Sequence, residues 1–394
     1  LYHFVGLMYH DDDHHRRSTC DLRRFLMEKA LKNSHTVYVV VIFIVCLGLF
    51  SIGNPNYSWQ PAEDMSWLEW FVRVPRDYQN QFLASSPLKT PFVKAIHDFQ
   101  YSKLFENRFP IVLGGKDGWL YYSGEQNIDK YQNAYPLSDE ELIQIYMNLE
   151  NINRRLEARG RKLIVVVAPN RENIYPEWLP NNVKQVGTDD RMDKLMGYMN
   201  KLDSEVTILD LRDELSGAKH HYPLLYFKHD THWNQMGAFI AYQEICKAIQ
   251  ADEDFADFVC KDWDDYTVEY ISYEGDMVKL MPTNLEILES VPRFIPNFES
   301  PVQASWVRGP YDRDREEWVT SYIPPNESPN PYTLVSFRDS FFMDVVPFLQ
   351  EDFQKTTFEW NFHYNNALIQ EKDPDIVIIE VVERYLHALA WFTD

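Results

Sequence analysis

One short stretch of the sequence, HDTHWN at residues 229–234, combines side chains that can carry out acid–base chemistry. The carboxylate of Asp230 stands two residues before the imidazole of His232, so it can accept the Nδ1 proton and leave Nε2 as a base. Asn234 is a good helix N-cap, and the apolar residues within 236–249 fall roughly on one face of a helix. We therefore predict that Asp230 and His232 lie on a loop that this helix holds in place.

A base of this kind needs a nucleophile, and Ser340 is the candidate that the sequence favours. An apolar run at 332–337 predicts a strand, and residues 338–341 (RDSF) lead from it into a predicted helix at 341–353. A serine at such a turn presents its hydroxyl at the carboxyl edge of the sheet, where open α/β sheets bind ligands. The first N–H groups of the helix also point to where an oxyanion would form. The simpler alternative is that Asp339 or Ser340 only caps the helix.

The surrounding segments predict an α/β fold with a mostly parallel sheet flanked by helices. A capping box at 138–141 begins a helix that ends at Gly160, and the β-branched run at 162–167 is typical of a strand covered on both faces. Further elements are predicted as a helix at 189–202, a strand at 206–210, a strand at 356–360, a helix at 364–371 and a strand at 375–381. This alternation is characteristic of a parallel sheet with helices on its faces.

Two regions depart from the alternation. A turn at 116–118 (KDG) between two short apolar runs predicts a β-hairpin. The region 251–330 is acidic and rich in proline, and it predicts an irregular insertion that partly covers the site.

Composition excludes some classes of function. Aromatic residues make up 15% of the 394 residues, which is typical of a folded chain, and the formal net charge of −22 argues against nucleic-acid binding. The same charge would repel acidic polysaccharides, so an acidic glycan would have to be held by local Arg or Lys side chains. The four cysteines show no metal-binding spacing, and we expect no metal ion or cofactor. Cys246 and Cys260 could pair outside the cytosol or remain free thiols.

The N-terminal part of the sequence predicts a single membrane anchor. Residues 37–50 are uninterruptedly apolar, and the segment 36–53 is about as long as a bilayer is thick. Lys29 and Lys32 precede it, which by the positive-inside rule leaves the rest of the chain outside the cytoplasm, in the periplasm or at the cell surface. A buried core helix and a cleaved signal peptide are the alternatives, but no small-x-small cleavage site follows the apolar run.

These patterns divide the chain into four parts. We predict a cytoplasmic N-terminus at 1–35, the anchor at 36–53, a stalk with helical segments at 54–104, and the catalytic domain at 105–394. Met27 begins a sequence that resembles a natural start, so residues 1–26 are expected to be an over-extended reading frame. A mass measurement of the N-terminus would test this.

Several motifs occur in a characteristic order along the chain. They are GKDGWL (115–120), APNRENIYPE (168–177), DTHWN (230–234), GDM (275–277), RDSF (338–341) and ERYL (383–386). Together they resemble the SGNH-hydrolase-like domain of the alginate O-acetylation proteins AlgJ and AlgX, a family of exopolysaccharide O-acetyltransferases. The resemblance covers about residues 105–390, and its specific part is the DTHW motif with the downstream DSF.

The resemblance implies a catalytic triad and a two-step acyl transfer. Ser340 would be the nucleophile, His232 the base and Asp230 the residue that orients the base. An acetyl group would pass through an acetyl-serine to hydroxyls of a polysaccharide acceptor, and a multi-pass membrane acyltransferase would supply it. Arg338 departs from the pattern, because some members of the family have Gly before Asp-Ser. No appended carbohydrate-binding module is evident in the sequence.

Other residues are candidates for supporting roles. Asn170 could donate to the oxyanion or be an ordinary turn residue. Arg171 and Arg338 could anchor a sugar carboxylate or form structural ion pairs, and Trp233 could stack on a sugar or pack between helix and loop. Glu383 and Arg384 are interpreted as structural.

Two alternative functions remain open, one with the same triad and one without any catalytic residues. A carbohydrate acetyl esterase would have the same triad, with water in place of the sugar hydroxyl. A non-catalytic component of a polysaccharide export complex would need no triad at all.

Overall fold

The computed structural model describes residues 111–281, 286–308 and 316–393. The predicted cytoplasmic N-terminus at 1–35, the anchor at 36–53 and the stalk at 54–104 lie outside these residues, as do residues 105–110 of the predicted catalytic domain. Among the helices of the described part, none is long and apolar enough to cross a membrane.

The strands and helices are numbered here in chain order. The strands are β1 (Val112–Gly114), β2 (Leu120–Tyr122), β3 (Lys162–Ala168), β4 (Thr207–Asp210), β5 (Tyr266–Tyr273), β6 (Glu289–Pro296), β7 (Gln303–Arg308), β8 (Glu316–Tyr322), β9 (Thr333–Arg338), β10 (Lys355–Trp360) and β11 (Ile376–Val382). The helices are α1 (Asn127–Tyr131), α2 (Asp139–Glu157), α3 (Arg171–Ile174), α4 (Arg191–Lys201), α5 (Arg212–Ala218), α6 (Gln235–Gln250), α7 (Asp276–Leu280), α8 (Val346–Leu349) and α9 (Asn366–Lys372).

A seven-stranded sheet forms the centre of the fold, with the strand order β4-β3-β11-β9-β10-β8-β7. The first five strands are parallel, and β8 and β7 continue the sheet in antiparallel pairing. A buried cluster lies on each face, one built around α6 and the other around α2 and α4. The prediction of an α/β fold with a mostly parallel sheet is confirmed.

Local sequence signals explain the elements that position the site. Ser138 and Glu141 form the predicted capping box, in which each side chain accepts from the other residue's backbone N–H. The central strands β3 and β11 are rich in β-branched residues, and their side chains are buried almost throughout. Such strands are stable where both faces of the sheet are covered.

The expectation of an irregular insertion at 251–330 is wrong in part. β5 and β6 form a separate two-stranded antiparallel sheet, and β7 and β8 join the main sheet. Pro292 and Pro296 lie inside β6, where proline is tolerated because a strand of a two-stranded sheet leaves one edge unpaired. Pro292 and Pro296 therefore concealed β6, whereas β5, β7 and β8 contain no proline and were treated as loop together with the proline-rich segments around them.

The predicted helix at 341–353 is also corrected. A 3₁₀ turn at Phe341–Asp344 is followed by the short helix α8. Pro347 lies in the first turn of α8, where its missing N–H costs little, whereas a continuous helix would bring its ring against the preceding turn. The predicted helix is therefore divided between Asp344 and Val346, and it ends at Leu349.

Two local predictions concern covalent and hairpin geometry. β1 and β2 pair as the predicted hairpin, with Leu113 opposite Tyr121. Cys246 and Cys260 form a disulfide bond, so the alternative of two free thiols does not apply to this structure.

Candidate active site

The structure brings Ser340, His232 and Asp230 into one hydrogen-bonded line. His232 Nε2 lies 2.8 Å from Ser340 Oγ, and His232 Nδ1 lies 2.7 Å from Asp230 Oδ1. Ser340 follows β9 at its carboxyl end, and the other two residues lie on the loop that precedes α6. These are the distances that a proton transfer from the hydroxyl to the imidazole requires.

The sequence left open which of Asp339 and Ser340 caps the turn, and the structure shows that Asp339 does. Asp339 Oδ1 accepts from the N–H of Phe341 at 2.8 Å, and its Oδ2 accepts from the N–H of Val382 at 2.7 Å. Ser340 makes no capping hydrogen bond with its side chain. The turn is therefore fastened by Asp339, and the hydroxyl of Ser340 remains available to His232.

The loop that carries His232 is held by its neighbours in sequence. Asn234 Oδ1 accepts from the backbone N–H groups of Met236 and Gly237, as expected of an N-cap. Trp233 is fully buried and donates from Nε1 to the carbonyl of Phe341 at 2.8 Å. Trp233 therefore ties the base loop to the turn of the nucleophile, and it cannot stack on a sugar.

The charges of the site favour a protonatable imidazole beside an ionised carboxylate. Burial lowers the pKa of His232, but the hydrogen bond with Asp230 and the charges of Asp230 and Asp276 outweigh it and raise the pKa above its ordinary value; the charge of Arg384 acts in the opposite direction. Burial raises the pKa of Asp230, but the hydrogen bond and charge of His232 outweigh it, so the pKa lies well below its usual range. Asp230 can therefore stabilise the imidazolium without taking its proton.

The insertion contributes two residues that the sequence reading missed. Asp230 Oδ2 accepts from the hydroxyl of Tyr273 at 2.9 Å and from the N–H of Asp276 at 2.8 Å. Asp276 in turn accepts from the backbone N–H and the hydroxyl of Thr231. The only sequence signal was the GDM motif at 275–277, to which no role was assigned.

Gly275 explains why this motif begins with glycine. A Cβ atom at this position would lie 2.0 Å from the carbonyl oxygen of His229. The absence of a side chain therefore allows the Asp276 segment to approach the backbone of the base loop closely enough to bind the Asp230 carboxylate.

We expect the pH dependence of acylation to follow His232. The base acts when neutral, so kcat/KM for an ester donor should rise with pH, with a midpoint above the ordinary value of 6.5. In Asp276→Asn one of the charges that raise this pKa is removed, and the midpoint should move to lower pH. The pH profiles of the two proteins measure this shift.

Two controls accompany this comparison. Burial raises the pKa of Asp344, a neighbour of His232, to about 6, so Asp344→Asn shows how much of the profile belongs to that group. Glu274→Gln removes a charge two residues from Asp276 and should leave the midpoint unchanged. A midpoint in Asp276→Asn that equals or exceeds that of the unaltered protein contradicts the prediction.

Arg171 lies where it cannot anchor a sugar. Its guanidinium is buried, with Nη1 donating to the carbonyls of Phe227 and Asp230 at 2.7 Å each and Nη2 donating to the carbonyl of Leu120. It also lies over the ring of Tyr121, 4.8 Å from the ring centroid. Arg171 holds the base loop against the β1–β2 hairpin, and the sequence-based assignment as a glycan anchor is not supported.

This arrangement predicts that Arg171→Met destabilises the domain. The substitution keeps an apolar stem but leaves the three buried carbonyl oxygens without their donor, at a cost of about 3 kcal/mol or more. Urea unfolding compares it with Arg159→Met, a matched change at an exposed arginine. A loss below about 1 kcal/mol, within the range of ordinary surface substitutions, contradicts the structural role.

Arg338 is likewise unable to reach a ligand. It is fully buried, it donates to the carbonyl of Asp339 at 3.2 Å, and its guanidinium lies 5.1 Å from the ring centroid of Trp360. Its complete burial at the end of β9 corrects the expectation that it anchors a sugar carboxylate.

Asn170 and Arg384 contact each other at the carboxyl ends of β3 and β11. Asn170 follows β3, is buried, and its Oδ1 accepts from Arg384 Nη1 at 3.5 Å. The guanidinium of Arg384 lies 5.2 Å from the ring centroid of Phe341, the residue after the nucleophile. Arg384 was interpreted as a structural residue, and the structure places it at the edge of the site.

One group of side chains at the site could hold a metal ion. Ligand atoms of Asp230, His232 and Asp276 lie within 4.8 Å of one another. The His232 Nδ1 atom is already hydrogen-bonded to Asp230, so a metal ion there would compete with this hydrogen bond.

The chain is similar to known proteins both in sequence and in fold. The family model of the SGNH hydrolase-like domain of the acetyltransferase AlgX matches residues 112–306, a stretch that contains Asp230 and His232 and ends before Ser340. The solved structure of PatB1 from Bacillus cereus is similar with a TM-score of 0.53 over 72% of this chain and 99% of that chain, at 18% identity, which indicates a shared fold.

Curated relatives extend the similarity over most of the chain. The probable alginate O-acetylase AlgJ of Pseudomonas syringae pv. tomato is 24% identical over 373 residues, which cover 91% of this chain and 90% of that protein. The corresponding AlgJ of Pseudomonas putida is 23% identical over 354 residues, with 87% and 86% covered. The resemblance of the chain to AlgJ/AlgX-like proteins with an SGNH-hydrolase-like domain is therefore confirmed.

Proposed function

We propose that this protein is an exopolysaccharide O-acetyltransferase that carries the acetyl group on Ser340. The observation that supports this most directly is the hydrogen-bonded line from Ser340 Oγ through His232 to Asp230. The relatives named as alginate O-acetylases support acetyl transfer as the reaction and a polysaccharide as the acceptor.

In the first step the serine takes the acetyl group. Ser340 Oγ attacks the carbonyl carbon of an acetyl donor while His232 Nε2 removes the hydroxyl proton. The tetrahedral intermediate then collapses, the bond to the donor's leaving oxygen breaks, and His232 returns the proton to that oxygen. The product is an acetyl ester on Ser340.

In the second step a sugar hydroxyl attacks this ester. His232 removes the proton of the sugar hydroxyl, the new ester bond forms, and the proton passes to Ser340 Oγ as it leaves. Asp230 stabilises the imidazolium in both steps. The serine and the histidine return to their starting states.

Both tetrahedral intermediates carry a negative oxygen that needs donors. The backbone N–H of Ser340, at the start of the 3₁₀ turn, is one proposed donor, and the amide of Asn170 is the other. Removal of a single oxyanion donor typically costs about 3 kcal/mol of barrier.

We further propose that the domain works outside the cytoplasm, anchored by residues 36–53. The apolar run and its basic flank support the anchor, and the Cys246–Cys260 disulfide supports an oxidising compartment. Since acyl-CoA is cytosolic, a membrane-bound acyltransferase is the proposed source of the acetyl group.

The choice of acceptor is tested directly with residues 105–394, the predicted catalytic domain without the predicted anchor. The domain is incubated with an acetyl ester, with and without an oligosaccharide, and the products are separated by mass. Acetylated oligosaccharide supports the proposal. Free acetate alone in both reactions supports an esterase, and an inert domain supports a non-catalytic component of an export complex; either result overturns the proposal.

A further inference from the structure

Three neighbouring strands end around the nucleophile. β11 lies between β3 and β9 in the sheet. Asn170 follows β3, Glu383 and Arg384 follow β11, and Ser340 follows β9. Adjacent strands are roughly 5 Å apart, so the ends of β3 and β9 are separated by roughly 10 Å, with the ERYL segment between them.

Glu383 fastens the backbone of Asn170. Its Oε2 accepts from the Asn170 N–H at 3.0 Å and from Asn173 Nδ2 at 2.5 Å. Glu383 is only 4% exposed, so both hydrogen bonds are shielded from water. The first turn after β3 is therefore held from the end of β11.

Arg384 fixes the direction of the Asn170 side chain. A guanidinium only donates hydrogen bonds, so the atom that faces Arg384 must be the amide oxygen of Asn170. The amide nitrogen is then turned to the other side, and the structure shows no hydrogen bond from it to any described residue. A donor that is oriented but unengaged is what an oxyanion pocket requires before the reaction begins.

The surroundings of Arg384 keep its guanidinium in this place. It is 7% exposed and lies over the rings of Phe341, Tyr385 and Tyr122, at 5.2, 5.2 and 5.6 Å from their centroids. Its Nε is buried without a partner among the described residues. Phe341 directly follows Ser340, so Arg384 contacts both Asn170 and the residue next to Ser340.

We propose that Glu383 and Arg384 are positioning residues that clamp Asn170, with Glu383 holding its backbone and Arg384 holding its amide oxygen, so that its amide nitrogen donates to the oxyanion at Ser340. This inference rests on the proposed acetyl-serine mechanism and assigns a task to two residues that the sequence suggests are structural. Neither residue contacts the substrate, and both act through Asn170.

A double-mutant cycle on acylation tests the clamp. The burst of 4-nitrophenol from 4-nitrophenyl acetate reports the acylation rate of Ser340 and its KM. The variants are Asn170→Ala, Arg384→Met and the double variant; Met keeps the stem over Phe341 and removes the donors. Arg384→Lys and Glu383→Gln are conservative variants that retain a donor and an acceptor respectively, and Arg159→Met is the control at an exposed arginine.

The expected results distinguish a positioning role of Arg384 from a general structural role. Asn170→Ala should lower the saturated acylation rate about 100-fold, and Arg384→Met should lower it at least tenfold with KM within twofold. The double variant should be no more than about twofold slower than Asn170→Ala, because Arg384 acts through the same amide. Arg384→Lys and Glu383→Gln should recover most of the rate, and Arg159→Met should have none of these effects.

Three outcomes overturn the inference. Losses that multiply in the double variant mean that Arg384 does not act through Asn170. If Arg384→Met changes only KM or the melting temperature and leaves the saturated rate intact, Arg384 has a structural role. If Arg384→Met does not fold, a rate for Arg384→Lys as low as that of Asn170→Ala, in a folded protein, overturns the inference as well.

The design also distinguishes the clamp from the mechanism on which it depends. If the unaltered protein shows a burst with acetyl on Ser340 but the cycle shows no coupling between Arg384 and Asn170, the clamp is disproved and the proposed function stands. Absence of any burst from the unaltered protein removes both.

Discussion

Ser340→Ala is expected to abolish covalent acetylation of the protein and to lower turnover by on the order of 10⁶-fold, the loss typical of removing a serine nucleophile. The hydroxyl is 2.8 Å from His232 Nε2, and no other described residue forms a hydrogen bond with that atom. Intact-protein mass spectrometry after exposure to an acetyl ester, followed by peptide mapping, measures the adduct and its site.

The folded state should survive this change. Ser340 is partly exposed and its side chain makes no capping bond, so its loss removes only the hydrogen bond to the base. Ser305→Ala, at an exposed serine of β7 in the same sheet, is the matched control and should acetylate normally. An adduct that persists in Ser340→Ala, or one that maps to a different residue, shows that the nucleophile is misassigned.

The second large effect is expected from Asp230→Asn, which should lower the acylation rate by about 10⁴-fold with little change in KM. The carboxylate accepts a hydrogen bond from His232 Nδ1–H at 2.7 Å and is only 2% exposed, so its charge is poorly screened by water. An amide in its place neither stabilises the imidazolium nor secures the tautomer that leaves Nε2 free. Burst kinetics measure the rate, and the shift of the Nδ1 proton in an NMR spectrum reports the lost bond.

Tyr273→Phe is the control for this experiment. It removes one of the hydrogen bonds to the same carboxylate but leaves the charge, and burial together with the charge of Asp230 raises the pKa of Tyr273, so the lost group is a neutral donor. We expect a loss of roughly tenfold, in line with one neutral hydrogen bond. If Asp230→Asn loses no more than Tyr273→Phe, then Asp230 is only a structural acceptor.

Local signals were sufficient for most elements of the fold. The capping box at Ser138 and the N-cap at Asn234 are formed as predicted, and the β-branched runs are the buried central strands. These signals act within short runs of consecutive residues, and for that reason they can be recognised without the rest of the chain. They fail where a strand lacks the usual composition, as in the proline-containing β6.

The environment of individual side chains could not be predicted in the same way. Arg171, Arg338 and Trp233 are residue types that occur both in ligand sites and in cores, and all three are buried here with their polar groups engaged by backbone carbonyls. Tyr273 and Asp276 are more than 40 residues from Asp230 in sequence. Nothing periodic in the insertion indicates that they would meet it.

Most of the helices and strands, the order of the motifs, and the candidate serine, histidine and aspartate could be predicted from the sequence alone. The approach of Ser340 and His232 to 2.8 Å, although they are 108 residues apart, and the burial of Arg171 and Arg338 are visible only in the folded protein. Backbone preferences and helix caps depend on near neighbours in sequence, whereas contacts between distant side chains depend on strand order, register and loop packing. Those are settled by burial and hydrogen bonding of the whole chain at once.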